Sequence, residues 1–419
     1  MGITFKKQKI DFFFEYFLAV FLIYANGSWL LFEFPTPIKL SLYVLLIAYL
    51  FYDARNNNKI TYPNVIILFL ALFPLLSKLV NITKDSDLTN TFSTVIIYLV
   101  LGFYRKQLLF SILDKMANVI YFLCIVSIIF GSIFLINYSL LSILPVHYNA
   151  LFVDVNGYYN LIIYTDRVGN DFRVQSIFWE PGAWAYNEIF ALYWFVYVRK
   201  QTKGLLVFLY GIFLTLSTTG FILILIVGTQ ILIFSKNKQL KKKFALIFIS
   251  TISVGIILST LVSVFTDINI GSILYDQTID KLFTQNNVQA AGSANDRLDA
   301  TLNAFKIAKE NPIFGIGKQQ ADNTLFVTSS ISEVSYQLGF IYLFVYVCFF
   351  RVAFKKLNLL MSIPFVLVML NGEAYSSYIL SSILLVYGAK DSLFDKIFNS
   401  KNKLNTDADT VGGHTPVII

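Results

Sequence analysis

No charged side chain interrupts the chain from Gly204 to Ser235, a run of 32 residues. A surface of that kind either lines a very large core or faces lipid. The rest of the 419-residue sequence decides for lipid. Asp, Glu, Lys and Arg together supply 14% of the residues and the apolar and aromatic set 56%, whereas a soluble domain carries about 25% charge. At roughly 150 residues per domain a soluble chain of this length would need two or three polar skins, and its charge cannot cover them. The mean hydropathy of +0.66 and the 41 Phe and 25 Tyr fit a protein whose solvent is mostly hydrocarbon.

The flanks of the uncharged run give it a topology. Arg199, Lys200 and Lys203 precede it, and Lys236, Lys238, Lys241, Lys242 and Lys243 follow it. The positive-inside rule places both clusters in the cytoplasm, so the run crosses twice and turns near Ser217-Thr218-Thr219-Gly220. Stretches fit to cross a ~30 Å core then number twelve over the whole chain. The expected fold is an all-α integral membrane protein of about 12 transmembrane helices with two large extracytoplasmic loops. Helices 1–5 lie in 1–138, the first large loop in 139–180, helices 6–9 in 181–265, the second large loop in 266–330, helices 10–12 in 331–388 and a polar tail in 389–419. The first helix, Phe12 to Phe32, follows Lys6, Lys7 and Lys9 without a small-residue cleavage site, which reads as an uncleaved span, and helices 10 and 11, Ile331 to Ala353 and Lys356 to Leu370, leave a turn between them. With that end inside, most of the 33 Lys and Arg fall on the cytoplasmic side, and both termini are cytoplasmic.

Composition removes several chemistries. Cys124 and Cys348 both sit in apolar runs, so no disulfide framework exists. Two histidines, His147 and His414, exclude HExxH and His-rich zinc sites and most Ser-His-Asp triads. Neither a metal site nor a cofactor is expected, and nucleic acid is not among the expected partners.

The two long loops hold the candidate residues. The first ends in Arg173-Val-Gln-Ser176-Ile-Phe-Trp179-Glu180-Pro181-Gly182 before an apolar helix. Pro with a carboxylate ahead of it makes a helix start, so Glu180 and Trp179 read as a cap and an interfacial anchor. They read equally as chemistry: a carboxylate in a partly dry cleft acts as a general base, and Arg173 holds a phosphate bidentately. Arg167 stands in the same loop. In the second loop Leu298, Leu302, Phe305 and Ala308 recur at helical spacing and Asn311-Pro312 ends the helix. Arg297 falls in its first turn, where free N–H groups favour an anion, while Lys306, Lys309 and Glu310 read as a solvated face. The following Phe314-Gly315-Ile316-Gly317-Lys318 lacks the full phosphate-loop pattern and marks a tight turn, with Lys318 within reach of a diphosphate. Ser217 and Thr218 offer hydroxyls at the extracytoplasmic end of two helices, or bond carbonyls one turn back.

The string Arg173-x-x-Ser176-x-Phe178-x-Glu180-Pro181-Gly182 at the end of one external loop resembles the signature of O-antigen and capsular polysaccharide polymerases, relatives of the O-antigen ligases. The stretch from Asp296-Arg297 through Asn311-Pro312-Ile-Phe-Gly315-Ile-Gly317 is similar to that family's Arg, then Asn/His-Pro-x-x-Gly-x-Gly pattern. The resemblance implies extracytoplasmic transfer of a growing glycan from undecaprenyl diphosphate onto a lipid-linked repeat unit, without metal or nucleotide sugar, in a bacterial inner membrane. Together with the reading of the loops, it makes Glu180, Arg173 and Arg297 the expected catalytic residues, with Arg167, Ser176, Ser217, Thr218, Lys318 and Trp179 expected to bind substrate. The expected partners are the undecaprenyl-diphosphate-linked oligosaccharide, membrane lipid, a chain-length regulator and a flippase. The ligase members carry a His near an Asn-rich segment after the second loop. Here Ala321-Asp322-Asn323-Thr324-Leu325 stands in its place, with no His between His147 and His414, which sets polymerase ahead of ligase. A lipid-linked oligosaccharide flippase is the alternative of another class, and would line its spans with charge.

Overall fold

The structure is a computed structural model. It describes residues 2–30, 34–57, 62–81, 89–147, 158–167, 173–178, 180–202, 204–234, 238–239, 241–250, 253, 299, 301–317, 330–371 and 379–390. The described chain is predominantly helical: α1 (Gly2–Tyr24), α2 (Pro35–Asn57), α3 (Val65–Val80), α4 (Thr89–Phe103), α5 (Lys106–Ile136), α6 (Pro181–Tyr193), α7 (Leu205–Leu214), α8 (Thr218–Phe234), α9 (Ser330–Asn371) and α10 (Ile379–Ala389). Among the described residues, Thr36–Arg55, Lys106–Phe134 and Ser330–Ala353 are long and apolar enough to cross a membrane. Shorter apolar helices pack between them. Phe13, Val44, Phe51, Leu76, Leu225 and Phe344 point outward, as side chains do when the surrounding solvent is acyl chain.

Local chemistry explains the elements. Asn64 starts α3 by accepting the Ile67 N–H at 3.0 Å. Pro74 within α3 cannot donate to the carbonyl four residues back, and the Tyr342 hydroxyl of α9 donates to that Leu70 carbonyl at 3.2 Å instead. At the C-terminal end of α6 the chain widens into a π-turn, Trp194–Val198. Arg199 then closes it: Nε donates to Asp114 Oδ1 at 2.7 Å and one terminal nitrogen to Asn118 Oδ1 at 2.6 Å. The Trp194 indole reaches the same Asp114 oxygen at 2.7 Å. A second ion pair, Arg105 with Asp53, fastens the α4–α5 corner to the end of α2.

α6 is the central element. All its residues except Gly182 are buried, and α5, α7 and α8 pack around it. Asn26, just past α1, donates to Asn187 Oδ1 of α6 at 3.2 Å and accepts the Leu380 N–H of α10 at 3.0 Å. One amide therefore joins three helices and satisfies the Leu380 N–H at the start of α10.

Three features depart from the sequence expectations. The first loop contains an antiparallel three-stranded sheet, β1 (Val146–His147), β2 (Tyr158–Leu161) and β3 (Tyr164–Arg167), within a fold expected to be all-α. α9 is helical from Ser330 to Asn371, where a turn near 353–356 was expected; two lysines alone carry no helix-breaking force. Its backbone departs from the regular path higher up, at Gly339, with φ of 83°. Finally, α1 ends at Tyr24 and the chain turns at Ala25–Gly27, short of the expected Phe32, with Gly27 at φ 103°. The uncharged run does divide as expected, α7 and α8 meeting at Thr215–Ser217.

Candidate functional site

The segment before α6 is laced to its neighbours on three sides. Ser176 O accepts both the N–H and the Oγ1 hydroxyl of Thr165 in β3, at 2.6 and 2.7 Å. On the opposite side, Trp29 N–H reaches Ile177 O at 3.2 Å and Ser28 bridges to Phe178. Below, the Val174 N–H donates to Leu214 O, the last residue of α7, at 3.1 Å. Val174, Leu216, Tyr164, Leu141 and Phe134 then share one small core.

Two non-glycine residues on either side of that junction hold left-handed backbone, Ser176 at φ 55° and Leu216 at φ 44°. Such conformations cost on the order of 1–3 kcal/mol each and collect at ligand-handling segments. Ser176 is fully buried, and its Oγ has no hydrogen-bond partner. Beside it Asp166, also buried, receives the Tyr164 hydroxyl at 3.3 Å.

Glu180 is the N-cap residue of α6 in extended geometry, and Pro181 takes the first helical position. Its side chain makes no capping bond, while its carbonyl accepts the Trp184 N–H at 3.2 Å. The residue is partly exposed. Arg173 is also partly exposed, with its Nε buried. Ser217 is buried in the α7–α8 turn, where its N–H meets Thr215 Oγ1 at 3.3 Å. The Thr215 hydroxyl bonds back to Ile212 O at 2.7 Å.

The structure therefore brings Arg173, Ser176 and Glu180 onto one short segment and ties that segment to the turn carrying Ser217. Arg167 ends β3, opposite Tyr158, and Thr218 begins α8; the side chains of both lie outside the described residues, as do Trp179, Arg297 and Lys318. The buried Asp166 was missed, because a carboxylate in a four-residue strand gives no periodic signal.

The second loop is anchored by glycines. Within the helical stretch 301–310, Ala304 and Ala308 are buried against Ile316 and Tyr336. Lys306, Lys309 and Glu310 are exposed as expected, but so is Leu302, because the inward stripe centres on the two alanines. Residues 312–317 then dock on α9: Ile316 and Gly317 N–H donate to the Tyr336 and Gln337 carbonyls at 2.8 and 3.2 Å, and Phe340 N–H returns a bond to Pro312 O at 2.8 Å. Gly315, at φ 64°, lies against the Gln337 backbone, and Gly339 against that of Ile313; a Cβ at either would fall within 3 Å of main-chain atoms. From α3, Ser77 Oγ donates to Phe314 O at 2.5 Å and Asn81 to Gly315 O at 3.2 Å.

Residues 204–339, from the start of α7 to the break in α9, match the family model Wzy_C, described as O-antigen ligase. The chain carries an O-antigen ligase-like domain. The match spans about a third of the chain and is consistent with the O-antigen ligase/polymerase superfamily. No curated protein and no solved structure matches the chain. The ligase-like domain ends at Gly339, the glycine on which the 312–317 turn closes, and it includes the α7–α8 turn. Arg173 and Glu180 precede it in sequence and reach it through the Val174–Leu214 bond.

Proposed function

We propose that the chain is a polysaccharide polymerase of about twelve transmembrane helices, transferring a growing glycan from undecaprenyl diphosphate to a lipid-linked repeat unit on the extracytoplasmic face of a bacterial inner membrane. The observation that carries this reading is the Arg173–Glu180 segment. It holds a partly exposed guanidinium and a partly exposed carboxylate, and a strained hydrogen-bonded junction ties it to the ligase-like domain.

The chemistry follows from charge. A sugar hydroxyl of the acceptor attacks the anomeric carbon of the donor, forming one C–O bond as the bond to the diphosphate oxygen breaks. Glu180 takes the hydroxyl proton, and Arg173 with Arg297 stabilises the negative charge gathering on the leaving diphosphate. Attack opposite the diphosphate inverts the anomeric carbon. Arg167 and Lys318 add positive charge to the cleft, and Thr218 and Trp179 contact the sugars, while Ser176 and Ser217, expected from the sequence to bind substrate, are buried and hold the junction beneath it. No metal is needed, because guanidinium groups supply the charge a divalent ion would bring.

The description of the matched family favours one competing reading, an O-antigen ligase. The two differ in product. A strain lacking the chain accumulates single lipid-linked repeat units outside the cytoplasm if it is a polymerase, and full-length glycan on undecaprenyl diphosphate if it is a ligase. Units trapped inside would make it a flippase.

A further inference from the structure

The proposed chemistry leaves one buried carboxyl unused. Glu188 lies two turns into α6 from Glu180, and Glu180, Trp184 and Glu188 follow each other at intervals of four, so they form one stripe of the helix. Glu188 is fully buried. Its carboxyl faces the Cys124 thiol of α5 and the Trp184 indole, yet no contact of either carboxyl oxygen or of the indole Nε1 closes to a well-formed hydrogen bond.

Room for the carboxyl comes from α7. A Cβ on Gly211 would fall within 3 Å of both Glu188 Oε1 and Cys124 Sγ, so the carboxyl occupies the space a side chain at 211 would fill. Polar groups buried with incomplete bonding cost on the order of a few kcal/mol, and a leucine would avoid that cost. An ionisable group kept inside a span points to function.

Its neighbours say which function. The Trp184 ring stacks on Phe178 with centroids 5.7 Å apart, and its backbone N–H holds the Glu180 carbonyl. The helix that seats the carboxyl at Gly211 ends at Leu214, whose carbonyl takes the N–H of Val174 beside Arg173. Glu188 thus connects to both groups of the proposed chemistry through one indole and one helix turn.

We propose that Glu188 is a positioning residue for glycan transfer: it orients the Trp184 indole, which with Phe178 forms the floor under Glu180, and its seat at Gly211 sets the end of α7 beneath Arg173. The proposal rests on the polymerase reading for its functional half and on geometry alone for the Glu188–Trp184 contact.

The test uses the full chain in lipid nanodiscs with 15N-labelled tryptophan, the Trp184 indole resonance being the one lost in Trp184→Phe. Glu188→Leu is expected to shift that resonance and to lower kcat ~10-fold with KM little changed, whereas Glu188→Gln keeps most of the rate. In the Trp184→Phe background Glu188→Leu is expected to add less than about twofold, because the two act as a unit. An unmoved resonance overturns the proposal. So does a moved resonance with normal kcat, or a full additive loss in the double variant. If Glu188→Leu fails to accumulate in membranes, the Glu188→Gln resonance decides: a shifted single peak supports the contact and an unshifted one removes it. A wild-type protein that makes no polymer overturns the polymerase reading instead, and the resonance still judges the contact.

Discussion

Arg173 and Glu180 stand seven residues apart on a segment that is neither helix nor free loop, and their fixed backbone gives substitutions there an interpretable meaning. Arg173→Lys keeps the charge but loses the fork that matches two phosphate oxygens. The loss of one transition-state contact costs about 3 kcal/mol, or roughly 100-fold in rate. Chain-length analysis of cell glycans at matched membrane abundance is therefore expected to show little polymer for Arg173→Lys and for Glu180→Gln. Lys306→Ala and Lys309→Ala, on the exposed face of 301–310, are expected to leave polymer near normal. Near-normal polymer from Arg173→Lys would return that residue to an interfacial role. The sequence singled out these residues because they lead into a Pro-initiated helix. It did not reveal Glu188, because one carboxylate in a span otherwise free of charge leaves the window apolar.

At the scale of elements, the docking of 312–317 onto α9 depends on glycine at two places. Gly339 has positive φ and main-chain atoms where a Cβ would stand, so Gly339→Ala must either strain the backbone or displace the turn. A left-handed alanine alone costs about 1 kcal/mol or more, and the clash adds to it. The expected outcome is a lower melting temperature of the full chain in detergent and earlier protease cleavage near residue 317. Unchanged melting and cleavage would contradict the anchoring role of that glycine. The sequence marked Gly315 and Gly317 as a turn but not their partner, since a single Gly in a helical pattern is ordinarily tolerated. The three-stranded sheet was equally hidden. Its strands are two to four residues long, too short for an alternating pattern to register. The division between α7 and α8 was legible because cation clusters on both flanks require an even number of crossings.

For the molecule as a whole, the side of the membrane on which the Arg173–Glu180 segment sits follows from that same division. Reporter fusions at Lys203 and Lys238 are expected to report the cytoplasm, and one at Asn286 the outside. Opposite sides for Lys203 and Lys238 would dismantle the twelve-span topology and move Glu180 away from an extracytoplasmic substrate. The likeness to O-antigen ligases over 204–339 was legible from the stretch between Arg297 and Gly317, while the lipid carrier, the partners and the convergence of Arg297 on Arg173 rest on the proposed mechanism. The most direct measurement is polymerisation by the purified full chain in proteoliposomes, supplied with undecaprenyl-diphosphate-linked repeat units in the presence of EDTA. The expected result is a ladder of longer lipid-linked glycans and release of undecaprenyl diphosphate, both strongly reduced in Arg173→Lys and Glu180→Gln. Repeat units that remain single, or activity that returns only on addition of a divalent ion, would contradict it.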